Sequence, residues 1–274
     1  MATSNIGQQQ TSPYDDYTDQ ERRLEAEMEA SSMSLVDHLE ELRWRIFKCL
    51  IALAIGGVIA FIFRDQIMNF LQGPLPSRAN ALRSAHGKLV VVGLTEGFTI
   101  TLLVSLAAGT VLALPVLLYQ TWAFIAPGLY DHEKKYAIPF IFIGLALFLA
   151  GSIVCYAILR FPIEWLISFS GSNFTELVTA DNYFSFVAIF LLIFGIVFEM
   201  PLVLTFLAKV GLISEQTLRK KRSVAHVGMW LAACFLTPGA DFYSPLILGV
   251  AMSILYELTI IIIHFTVKDA VVTA

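Results

Sequence analysis

Residues 183–208 read YFSFVAIFLLIFGIVFEMPLVLTFLA, 26 residues in which Glu199 is the only charged side chain. At 1.5 Å per residue a helix of this length reaches about 39 Å, more than a hydrocarbon core about 30 Å thick. A backbone inside lipid finds no water to bond, so an unbroken apolar block of this length reads as an internally hydrogen-bonded spanning helix. The composition agrees. Apolar residues make up 57% of the 274 residues and charged ones 15%, against about half and a quarter in a soluble domain.

Three further apolar runs precede this one, at 46–63, 98–119 and 137–159, and two follow it, at 224–236 and 246–265. The expected fold is therefore all-α, an integral membrane protein with six transmembrane helices. The run at 224–236 is anomalous, since 13 residues reach only about 20 Å. Two readings stay open for it. It is a short span sheltered by neighbours and by local bilayer thinning, or a re-entrant segment that turns two spans into one hairpin.

Orientation follows from the cations. With both termini inside, thirteen Lys and Arg fall in inner segments, among them Arg43, Arg45, Lys134, Lys135 and the group 219–222. Five fall in outer loops, namely Arg64, Arg78, Arg83, Lys88 and Arg160. That bias predicts N-in, C-in. Residues 1–33 are polar and acidic with little to bury, which predicts a disordered cytoplasmic tail. They lack the apolar core of a signal peptide and are too acidic for an organelle transit peptide, so entry through the first helix of a bacterial or archaeal cytoplasmic membrane is expected. The spanning domain is placed at 34–268 and a short cytoplasmic tail at 269–274.

Few residues offer chemistry. Cys49, Cys155 and Cys234 lie in apolar blocks without metal-ligand or redox spacing, and the five histidines are scattered. No nucleophile motif, zinc-protease motif or phosphate loop is present, so neither an enzyme nor a cofactor or metal site is expected, and a net charge of −4 does not suggest a nucleic-acid surface. Carboxylates at or in the membrane remain. Glu41 and Arg45 are four apart on the entry helix and can pair, which fits a solvated amphipathic start. Glu133 beside Lys134 and Lys135 fits a charge-balanced helix start. Together, two inner carboxylates form an anionic patch suited to a ligand with guanidinium groups. Glu199 and Glu257 lie at membrane depth, where a carboxylate faces protein or water. Each bonds a neighbouring helix or receives a polar group from another subunit. Asp241, in Thr237-Pro-Gly-Ala-Asp241, reads as a turn and helix-cap residue.

These segments resemble the TatC family of twin-arginine protein export. Leu35-Val-Asp-His38-Leu-Glu-Glu41-Leu-Arg43-Trp-Arg45 is similar to its N-terminal signature. Pro115 and the stretch from Tyr119-Gln120 through Trp122, Phe124, Pro127, Leu129, Tyr130 and Glu133 resemble its first cytoplasmic loop. Phe194-Gly195-x-x-Phe198-Glu199-x-Pro201 resembles its fourth helix, Leu218-Arg-Lys-Lys-Arg222 its second cytoplasmic loop, and Thr237-Pro238-x-x-Asp241 its last outer turn. The resemblance implies a concave six-helix bundle that receives twin-arginine signal peptides of folded cargo. Transport would be driven by the proton-motive force with no nucleotide. It implies that Glu41 and Glu133 line the recognition patch, with Arg43, Phe124 and His38 shaping it. Glu199, Asp241 and Glu257 would contact single-span partner subunits of the TatA and TatB types, and self-association is expected. The rival classes are a proton-coupled transporter running through Glu199 and Glu257, and a passive scaffold. No internal repeat of the kind transporters use is visible.

Overall fold

The computed structural model describes residues 35–76, 89–125, 137–169, 178–239 and 241–271. The acidic tail and the inner loop carrying Glu133 lie outside these residues. Ten helices are described: α1 (Leu35–Ile62), α2 (Arg64–Leu71), α3 (Glu96–Ile125), α4 (Ala137–Ile158), α5 (Arg160–Phe169), α6 (Ala180–Phe198), α7 (Met200–Lys209), α8 (Glu215–Lys220), α9 (Arg222–Leu236) and α10 (Tyr243–Val271). Among the described residues the only β pairing is an isolated parallel bridge between Val90 and Thr179.

Five stretches are long and apolar enough to cross a membrane: Leu39–Ile62, Glu96–Phe124, Ile138–Phe169, Ala180–Lys209 and Tyr243–Thr266. Two of them join consecutive helices. The third runs ten residues past the end read from sequence, because α5 turns its charges outward. Arg160 and Glu164 pair at 3.7 Å on the exposed side while Pro162 and Ile163 are buried. The fourth is not straight. It breaks at Glu199, since Pro201 at the start of α7 has no N–H to continue the ladder.

The chain divides into two compact units, Met1–Phe47 and Lys48–Ala274. Within the second, α6 is the central element, packed by α3 and α4, while α10 packs on α7 and α9. Phe186, Phe190, Phe194 and Phe198 recur every fourth residue along α6, with successive ring centroids 5.4, 5.0 and 6.4 Å apart. That spacing places the rings on one face of the helix, and Phe190 and Phe194 are fully buried. In lipid, helix association depends on close van der Waals packing, which small residues permit. A Cβ on Gly195 would stand 2.5 Å from the Phe148 ring of α4, and one on Gly151 of α4 would stand 2.7 Å from the Phe194 carbonyl. Likewise Gly56 of α1 and Gly109 of α3 bring their backbones into direct contact.

The short helix α9 traverses the bundle. One cavity brings together Trp122, Pro139, Lys209 and Thr266, at the ends of the second, fourth and fifth of these stretches and the start of the third. Another gathers Ile167, Thr179, Asn182, Pro238 and Gly239, at the opposite ends. The chain therefore passes from Lys209 at one end to Pro238 at the other through α9. Its 15 residues span about 23 Å. The shortfall is made up at Arg222, which pairs with Glu257, nine residues or about 13 Å short of Thr266. Above it α8 fills the remaining depth. Tyr256 donates to the Leu218 carbonyl at 2.9 Å, and His264 meets Glu215 at 3.1 Å. This course of the chain supports the sheltered short span over the re-entrant hairpin.

Gly195→Ile should lower the thermal unfolding midpoint of the purified protein, because overpacking a tight helix contact costs about 1–3 kcal/mol. Gly228→Ala in α9, where a Cβ meets nothing within 4 Å, should leave the midpoint unchanged or raise it slightly.

Candidate functional site

In the first unit, Glu41 and Arg45 form an ion pair one helical turn apart. Arg45 donates to Glu41 Oε1 through Nε at 3.1 Å and also through Nη2. Arg43 and Trp44 are exposed on the same helix, with the Trp44 ring 6.2 Å from Phe47. The arrangement is a carboxylate that already holds a guanidinium, flanked by a second cation and an exposed aromatic. The side chain of His38 and the whole of Glu133 lie outside the described residues.

In the second unit, Phe124 is half-buried in the last turn of α3. Two residues earlier Trp122 is buried, its ring 4.9 Å from Phe140 and 5.2 Å from Phe206. This aromatic cluster fixes the ends of α3, α4 and α7 against one another.

Glu199 stands at the break between α6 and α7, and both its carboxylate oxygens are buried with no hydrogen-bond partner. A Cβ on Gly144 of α4 would lie 3.2 Å from Oε2 and 2.8 Å from Leu118 of α3. Without a side chain there, the carboxylate rests against α4 below Leu118. A buried, unpaired carboxylate is costly, and none of the described side chains bonds this one.

Glu257 is differently placed. It accepts from Arg222 at 2.9 Å and meets His226 Nε2 at 3.2 Å, while His226 Nδ1 lies 3.2 Å from Ser253. Both oxygens are engaged by α9, the first of the two possibilities left open for it. Asp241 Oδ1 accepts the Ser244 N–H at 2.6 Å in the first turn of α10, which makes it a helix cap. It lies 16 residues before Glu257, about 24 Å along the helix direction, so Asp241 and Glu257 share no site.

Sequence reasoning passed over two features. Arg222 and His226 as partners of Glu257 are 35 and 31 residues away from it, beyond any helical spacing, and the only signal was a histidine inside a short apolar run. The other is Glu96, whose Oε2 accepts the N–H groups of Val92 at 2.6 Å and Gly93 at 2.7 Å. Its Oε1 accepts that of Asp181 at 3.3 Å. With the Val90 carbonyl accepting Ala180 N–H at 2.8 Å, Glu96 latches the loop before α3 onto the start of α6.

The family model described as Sec-independent protein translocase protein (TatC) matches residues 37–250. The chain is 37% identical to the TatC protein of Carboxydothermus hydrogenoformans, over 87% of this chain and 96% of that one. It is 36% identical to that of Frankia casuarinae over 86% of this chain and 66% of the relative. A crystal structure described as the twin arginine translocase receptor TatC superposes with a TM-score of 0.71 at 34% identity, covering 82% of this chain and 98% of the other.

Asp241→Ala should destabilise the protein by about 1 kcal/mol, the usual cost of a lost helix cap, while Asp241→Asn should retain most of it. Thermal unfolding of the three forms side by side checks this.

Proposed function

Because the chain belongs to the TatC family, as a multi-pass component of the Tat translocase in the bacterial cytoplasmic membrane, we propose that it is the receptor subunit for twin-arginine signal peptides. Membership of the translocase implies association with other Tat subunits. The reading goes further. It has both termini in the cytoplasm, with Glu41, Arg43 and His38 as one group of recognition residues and Glu133 and Phe124 as another.

The observation that carries this reading is the Glu41–Arg45 pair. It supports Glu41 as a carboxylate whose surroundings accept a guanidinium. An i,i+4 helix pair contributes about 0.3–0.5 kcal/mol when exposed, and this one is half-buried, so an incoming peptide arginine competes with Arg45 for the same carboxylate. Bidentate geometry then separates arginine from lysine. No covalent chemistry is required of the chain; the work of transport comes from the proton-motive force.

Glu199 is the proposed intramembrane contact for single-span subunits of the TatA and TatB types. Its two unpartnered oxygens suit a polar side chain delivered by a neighbouring helix. Asp241 and Glu257 serve that contact less directly, by holding the turn and the α9–α10 pair in place. Self-association of several copies completes the proposed assembly.

A signal peptide with a photoreactive residue beside its arginine pair should crosslink to the segments of Glu41 and Glu133, and a twin-lysine peptide should not. Glu41→Lys should weaken peptide binding by at least about 30-fold, as expected when a charge pair is replaced by repulsion. Glu199→Ala should leave peptide binding intact but lower recovery of single-span partners. Equal labelling by both peptides would refute the receptor reading and favour a scaffold. Loss of ion flux in Glu199→Ala with partner recovery unchanged would favour a transporter.

A further inference from the structure

The cavity at the Lys209 end of the bundle has a volume of about 360 Å³, between the ends of α3 and α7, the start of α4 and the last turns of α10. Its wall is apolar, formed by Phe140, Ile143, Leu202, Phe206 and Ile262 among others, and Lys209 stands in the same wall. Two of these positions, Ile143 at 50% and Ile262 at 41%, are exposed at the outside of the bundle, so the cavity opens sideways onto the bilayer. Depth is set by the crossings themselves. Trp122 and Lys209 close the second and fourth, Thr266 closes the last, and Pro139 begins the third, so the mouth lies at the membrane–water interface. Trp122 is also the residue type that favours that level. The Thr205 hydroxyl in the wall is buried without a hydrogen-bond partner.

We propose that this cavity seats an anionic phospholipid, with an acyl chain against the apolar wall and the phosphate at Lys209. An occupant that is apolar along its length and polar only at the interface matches the wall and the depth. The cation selects its charge, since pockets between spanning helices with basic residues at the interface bind anionic headgroups. The same charge disfavours the arginine-bearing end of a signal peptide. The site's membrane face rests on the cytoplasmic orientation proposed above; the lipid contact itself does not.

The test uses the full-length protein in detergent without any peptide, so it is independent of the receptor reading. Phosphatidylglycerol and phosphatidylcholine of equal chain length are titrated separately, and bound lipids are counted by native mass spectrometry. Phosphatidylglycerol should bind about fivefold more tightly, the effect of one well-placed lysine. Lys209→Gln should erase that preference while leaving lipid bound, and Ile143→Trp, which fills the mouth from an exposed position, should lower occupancy by both lipids. Inorganic phosphate in excess should not displace the lipid. Equal affinity of the two lipids for the unaltered protein, a preference that survives Lys209→Gln, occupancy unmoved by Ile143→Trp, or displacement by phosphate would each overturn the proposal.

Discussion

The ion pair between Arg222 and Glu257, joined by His226, is the constraint around which the α9 side of the bundle is arranged. A helix of 15 residues cannot cross a bilayer of ordinary thickness, and its inner end must begin where charge is tolerated. Glu257 supplies that place, well inside the last crossing. Once Arg222 is anchored there, the segment before it descends into the membrane alongside α10, and Tyr256 and His264 receive it through Leu218 and Glu215. Locally, charged groups lie well inside the last crossing, which favours a thinner bilayer at this edge.

Two carboxylates at membrane depth thus have opposite characters. Glu257 is satisfied within the chain and holds two helices together. Glu199, at the proline break of the fourth crossing, rests against α4 with neither oxygen bonded. Packing accounts for the difference. The aromatic ladder of α6 and the close approach at Gly195 and Gly151 fix the break where α4 offers only Gly144. Among the described residues nothing bonds Glu199, which is the opening that the proposed intramembrane contact would use.

Much of this was legible in the residues. Period-free apolar runs located the long crossings, since a spanning helix needs no amphipathic pattern, and the resemblance in the inner loops led to the family. The break at Glu199 was foreshadowed by Pro201, and the Asp241 cap by its turn sequence. The continuation of the third crossing through Arg160 was hidden because two charges read as a loop when they share one exposed side of a helix. The status of Glu257 was hidden for a different reason. Its partners come from a helix across a turn, and only the fold brings Arg222 and His226 to one carboxylate. Glu96 was passed over, because its third partner, the Asp181 N–H, is 85 residues away.

The account depends most on α9 carrying the chain fully across the membrane despite its length. Single cysteines at the exposed positions Leu212 and Phe242, in a protein with Cys49, Cys155 and Cys234 replaced by alanine, would report this directly. A membrane-impermeant maleimide should label Leu212→Cys from one side of sealed vesicles and Phe242→Cys from the other. Labelling of both from the same side would make α9 a re-entrant segment and contradict the arrangement on which the rest is built.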